Sequence, residues 1–277
     1  GLDEASACAP LTVTAAGVRV HVVNFSEGED LTAARGGPGV FGWDIDRVVD
    51  LVRRGKRKGG VVIAIGHCGL EYVPFPPTYV VEAFRAVAEA GADAVIGHHP
   101  HVPQGVELWR GTPIAYSLGN FVFYQPVDRH YRKTGFFVTL DLEGDEVAGV
   151  GLHPYRITDT GLRMLEDGEA REFKRDLARV SAPFRTARGP ARAWDAYLAH
   201  YGMEGFTAEV RAILERMRIE PQKGAAMFRN RVTTMQHAEL WRETLTRLMA
   251  EAPPAPWPAA LAAIEAWLER PLSASAG

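Results

Sequence analysis

Three imidazoles occupy four positions in "ADAVIGHHPHVPQGVE", residues 92–107: His98, His99 and His101 follow directly on a short apolar run. A fourth, His67, follows the apolar run "VVIAIG" in the same way. Neutral imidazole is a common metal ligand and a proton carrier at physiological pH, and tight spacing on a turn fixes nitrogens at small entropic cost. Two strand ends with histidines matter because ligands bind beyond the carboxyl ends of strands in open α/β sheets. If the two strands are parallel neighbours, the four rings converge on one crevice. Glu71 and Tyr72 lie four and five positions after His67 in "HCGLEY", where a carboxylate can orient an imidazole or serve as general base. Cys68 is read as a small buried thiol beside the site and not as a ligand. Asn120, after a glycine in "YSLGNFVFY", offers an amide that either binds a ligand oxygen or holds the turn.

The elements that must position these groups are legible as patterns. "LTVTAAGVRVHVVNF", residues 11–25, reads as a hairpin, and residues 26–42 as a Gly-rich loop. From Asp44, Ile45, Val48, Val49 and Val52 recur at helical spacing until "RRGKRKGG", whose basic run suits a solvated helix end. Residues 61–66 form a buried strand, Thr78 caps a helix through about Ala90, and "ADAVIG" supplies a second buried strand. Helix, strand, helix, strand predicts an α/β layered sheet. Shorter β segments follow in "GVELW", "PIAYSL" and "FVFY", then a hairpin about Glu143-Gly144-Asp145.

Beyond about residue 165 the periodicity turns helical, at roughly 168–180, 190–201, 206–218, 225–249 and 257–269. The division is therefore 1–164, an α/β domain, and 165–277, an all-helical extension. "FRNRVTTMQH", residues 228–237, suggests no mechanism, and His130, His153, His200 and His237 read as scattered. A 277-residue chain that is 47% hydrophobic and 23% charged can bury a full core. Its formal charge of −3 gives no basic field to gather nucleic acid, so an anionic small-molecule or polymer substrate must be held locally. No apolar run approaches a transmembrane span.

"HCGLEY" with its Pro-rich loop, then "AGADAVIGHHPHVPQGVE", then "GTPIAYSLGNFVFY" resembles the CapA family, the poly-γ-glutamate capsule synthesis proteins with a calcineurin-like metallophosphoesterase fold. The likeness covers about residues 1–157. It implies an αββα sandwich, incomplete at its N-terminus, because the family's opening "GD" and "NNH"-like elements precede the matched part. It further implies one or two divalent transition metal ions, Mn, Fe or Zn, with His67, His99 and His101 as ligands. His98 is then the proton donor, Glu71 the orienting base, and Asn120 and Tyr72 bind substrate. The family usually has Trp where this chain has Cys68.

The resulting expectation is a metal-dependent hydrolase or transferase acting on a phosphoester or a poly-γ-glutamate-type amide. A peptide Cα epimerase on the same fold is one alternative. A non-catalytic assembly subunit of a capsule synthesis complex, docking a protein partner through the helical extension, is another. The resemblance suggests the bacterial cell envelope, with the cytoplasm as the alternative.

Overall fold

The computed structural model of the protein describes residues 1–27 and 37–272, so residues 28–36 of the Gly-rich loop expected at 26–42 lie outside the described residues. A single helical turn, α1 (Glu4–Ala7), precedes the hairpin β1 (Leu11–Ala15) and β2 (Val18–Ser26). Ala16 and Gly17 both take positive φ, 49° and 85°, the geometry a two-residue hairpin turn requires. There follow α2 (Ile45–Arg57), β3 (Val61–His67), α3 (Thr78–Glu89), β4 (Ala94–His98), β5 (Val106–Trp109), β6 (Thr112–Ala115), β7 (Thr134–Glu143), β8 (Glu146–Ile157) and β9 (Leu162–Met164). The helical third comprises α4 (Asp167–Ser181), α5 (Gly189–Ile219), α6 (Pro221–Thr233), α7 (Met235–Met249) and α8 (Pro258–Glu269).

Six strands form a mixed sheet in the order β1-β2-β3-β4-β6-β5, and β7-β8-β9 form a second, antiparallel sheet. Strands β2, β3, β4 and β6 run parallel, with Ser26 beside His67 and His67 beside His98. The protein is thus a mixed α/β fold in which three carboxyl strand ends stand side by side.

Helices α2 and α3 cover one face of the large sheet through Val48, Val52, Val81, Phe84 and Val87, all at most 3% exposed. The register at the strand ends depends on glycine. A Cβ on Gly97 would lie 1.9 Å from the Tyr116 carbonyl oxygen, and one on Gly66 would lie 2.8 Å from the Phe84 ring. Only glycine lets the chain pass beneath α3 immediately before each histidine.

The second core joins the body to the helices. Val73, Phe75, Val102, Tyr131 and Phe136 pack in one cluster with Phe173, Trp194, Leu240, Ile264 and Trp267. The rings of Tyr131 and Trp267 stack at 3.7 Å, and the Trp267 indole N–H donates to the Pro103 carbonyl at 2.9 Å. The composition changes near residue 165, but the hydrophobic interior continues across it.

Several local expectations are corrected. "FVFY" is not a strand: Phe121, Val122, Phe123 and Tyr124 are 57%, 71%, 54% and 41% exposed in a loop. Thr78 opens α3 but does not cap it, since the residue before the helix is Pro77 and no side-chain cap bond forms. The helices expected at 190–201 and 206–218 are the two arms of α5, kinked at Gly202 (φ 46°, ψ −157°). The single helix expected over 225–249 is two, because Thr234 takes extended geometry (ψ 138°) between α6 and α7. Propensity alone does not register a one-residue break whose geometry packing imposes. Among the described residues no helix is long and apolar enough to cross a membrane.

Candidate active site

Parallel pairing delivers the convergence that the two strand-end motifs predict. The loops after β3 and β4 are pinned to each other, Cys68 N–H donating to the His98 carbonyl at 3.0 Å and Tyr72 N–H to the Pro100 carbonyl at 2.7 Å. His99 and His101 adopt φ of 100° and 60°, and Tyr72 a φ of 67°. Non-glycine residues rarely adopt positive φ, and such strain concentrates at functional sites.

The histidines fall into two groups. His67 Nε2 and His99 Nδ1 are 3.2 Å apart, their rings tilted at 60°. His99 Nε2 is buried without a hydrogen-bond partner among the described residues. Burial first, and then His67, His101 and His237, lower the His99 pKa to about 3, so the ring is neutral at physiological pH. His67, at the rim, is held below its usual value by desolvation and by His101. His98 is lowered in the same sense, by burial and by His67. His67, His98 and His99 border a cavity of about 510 Å³, whose apolar wall includes Phe25, Phe41 and Ile65.

The second group centres on His101. Its Nδ1 pairs with Asn120 Oδ1 at 2.7 Å, and Asn120 Nδ2 donates to the Arg132 carbonyl at 3.0 Å. That second bond fixes the amide orientation, so Nδ1 of His101 carries a proton and donates it to Asn120 Oδ1. Glu71 Oε1 lies 3.7 Å from Nε2 of the same ring, facing His101 and not His67. Tyr72 stacks on His101 at 5.8 Å, and the Arg132 guanidinium lies over the Tyr72 ring at 3.6 Å. Phe123 approaches the His101 ring at 5.6 Å. Asn120, 4% exposed, therefore holds a ring and a turn, the first of which spacing alone does not reveal.

Metal fit follows from this geometry. Ligand nitrogens about 2.0–2.1 Å from a tetrahedral ion stand roughly 3.3–3.4 Å apart, so the 3.2 Å His67–His99 pair matches two adjacent coordination positions as well as a hydrogen bond. Among the described residues, no group of three or more His, Cys, Asp or Glu side chains is gathered closely enough to hold an ion. The residues present fit a two-histidine partial site. Cys68 is 2% exposed, and burial, with Glu27 as a smaller cause, pushes its thiol well up, in keeping with its reading as an inert neighbour.

Residue-type reasoning missed three participants. Glu27 follows β2, accepts from the Gly69 N–H at 3.0 Å and from the Tyr79 hydroxyl, and borders the cavity. Its signal was available, since β2 is a third parallel strand ending in a polar group. Gln236, at the start of α7, also lines the cavity, and His237 is near enough to His99 to disfavour its charged form. Nothing in the sequence links these two to strand ends more than 130 residues away.

Residues 1–125 match the sequence model of a family described as "Bacterial capsule synthesis protein PGA_cap". The resemblance to CapA holds over that part of the chain. The chain is 37% identical over 130 residues to the PGA biosynthesis protein CapA of Bacillus subtilis, covering 43% of this chain and 34% of that protein. It is 35% identical over 115 residues to the capsule biosynthesis protein CapA of Bacillus anthracis, covering 39% and 28%. A probable polyglutamine synthesis accessory protein of Mycobacterium tuberculosis is 27% identical over 146 residues, covering 50% and 38%. The chain thus spans roughly a third of the length of these curated relatives.

Proposed function

We propose that this protein is a CapA-like metal-dependent hydrolase or transferase on a metallophosphoesterase-like αββα sandwich, acting on a phosphoester or a poly-γ-glutamate-type amide in capsule polymer synthesis. The observation that carries this reading is the His67–His99 pair, two neutral imidazoles 3.2 Å apart at adjacent parallel strand ends. These two would hold a divalent transition ion, which when bound supplies Lewis-acid polarisation of a phosphoryl or carbonyl oxygen. His98, the proton donor of this reading, borders the same cavity. Asn120 holds the proton on His101 Nδ1 and so orients the ring with Nε2 toward Glu71. The Cα epimerase alternative loses strength because it needs acid/base groups on both sides of a carbon acid, and the Cys68 thiol is buried.

The accessory-subunit reading draws on a different observation. Phe121, Val122 and Phe123 form an exposed apolar run beside His101, of the kind that marks binding to a polymer or a partner. The two readings part on metal and turnover. Purified full chain, assayed by elemental analysis and with bis(p-nitrophenyl) phosphate and a γ-glutamyl peptide, is expected to retain Mn, Fe or Zn and to cleave one of the two. Turnover by a preparation free of metal would overturn the metal-dependent reading. Retained metal without turnover would favour the accessory one.

A further inference from the structure

Strand β5 closes one side of the large sheet: it pairs with β6, and among the described residues no strand pairs with its other edge. Its peptide groups alternate in direction. Tyr116 N–H donates to the Gly105 carbonyl at 3.1 Å, whereas Val106 N–H turns away from β6 and donates to Ser181 Oγ, at the end of α4, at 2.9 Å. Alternation carries the Leu108 N–H and C=O to that same outer edge, and the residue opposite Leu108 is Pro113, which has no N–H to give. Leu108 is 70% exposed. A Cβ on Gly105 would lie 2.6 Å from the Val180 carbonyl oxygen, so α4 presses on the start of the strand and leaves Leu108 open. A groove of about 780 Å³ lies between β5, β8 and α4, with Leu152, Leu177 and Phe184 as apolar lining. Glu107 lines it too, but its charge is matched, because Arg85 donates to both of its oxygens at 2.9 and 2.8 Å. Lys174 and Arg185 complete the lining, and neither makes an ion pair among the described residues.

We propose that this groove binds an extended peptide segment of a partner protein, which adds as a strand to β5 and brings acidic side chains to Lys174 and Arg185. The backbone edge sets the conformation of the occupant. Unpaired N–H and C=O groups on an edge strand are a template that a second backbone completes, while the alternating side chains of the added strand supply specificity. The lining sets its composition. With Glu107 matched by Arg85, the groove presents two cations beside an apolar wall, which complements a strand of mixed acidic and apolar residues. A bare polyanion would satisfy the cations and leave the edge of β5 unpaired. No residue of the histidine cavity lines this groove, so the proposal stands apart from the metal reading and holds for an enzyme or an accessory subunit alike.

The probe is a fluorescein-labelled hexapeptide of alternating glutamate and valine, titrated into the full chain by fluorescence anisotropy beside two copies N-methylated on the glutamates or on the valines. Only one set of N–H groups can face β5, so one methylated copy is expected to lose at least about tenfold in affinity, the worth of one hydrogen bond, and the other to bind like the parent. Leu108→Pro removes the open donor at a position where an edge strand tolerates proline. It is expected to weaken binding at least about tenfold while leaving the thermal midpoint within a few degrees of wild type. Reversal of the two exposed cations, Lys174→Glu with Arg185→Glu, is expected to transfer the preference to a peptide with lysine in place of glutamate. Equal affinity of the three peptides, unchanged affinity in Leu108→Pro, or no saturable binding would each overturn the proposal. So would poly-γ-glutamate that binds as tightly as the α-peptide, because its backbone cannot pair as a strand.

Discussion

His99 and His101 are two residues apart, both with left-handed backbone, yet they sit in opposite states. His99 borders the cavity with one nitrogen beside His67 and the other buried and unpaired among the described residues. His101 is held by Asn120, stacked on Tyr72 and flanked by Glu71. The contrast separates two uses of one residue type. A histidine whose hydrogen bonding is completed by protein is fixed in place and tautomer. One left incomplete in a buried setting is where the proposed reading places a ligand, since an orphaned nitrogen costs stability.

The largest expected effect comes from removing the incomplete side. His99→Ala should lower metal retention by more than about 100-fold, beyond the 10–100-fold typical of outer partners, whereas His101→Ala should leave most of the metal in place. Elemental analysis of the dialysed proteins checks this, and equal loss in the two variants would erase the distinction.

A smaller effect should follow from loosening the complete side. Asn120→Ala strips His101 of its orienting acceptor and leaves its Nδ1–H unpaired. Turnover should fall by about 10–100-fold with metal content nearly unchanged. Stability should fall by about 1–3 kcal/mol in denaturant titration. Unchanged turnover would make Asn120 a turn residue only.

The smallest effect concerns pH and provides a control away from the site. His130, 6% exposed, has its pKa lowered to about 3 by burial and then by Arg156 and Arg270. The unfolded chain, with His near 6.5, binds the proton more readily. Stability from the neutral ring is therefore present above about pH 6.5 and is lost as pH falls from there toward 3. The thermal midpoint should drop across that window, and His130→Gln should flatten the drop without altering metal retention. A profile identical to wild type would remove His130 as a source.

The hairpin at Ala16-Gly17, the strands at 61–67 and 94–98 and the helices between them were legible because each is a local pattern: a φ-permissive turn, an apolar run, a 3.6-residue period. Repetition of Gly-His after two buried runs was enough to place His67 and His98 at strand ends, and the motifs that follow carried the family resemblance. What local pattern could not supply was anything decided at a distance. The exposed loop at 121–124 has strand-forming residues but lies outside both sheets, so its composition misleads. Whether His99 pairs with His67 or His101 depends on parallel register and a left-handed backbone, neither of which has a one-letter signature. Gln236 reaches the cavity only because the second core folds the helical third back onto the sheet. The sequence by itself determined the elements and the chemical groups at their ends. The tertiary structure alone decided which groups found a protein partner and which residues border the cavity, because pairing is a property of distances between segments and not of residues.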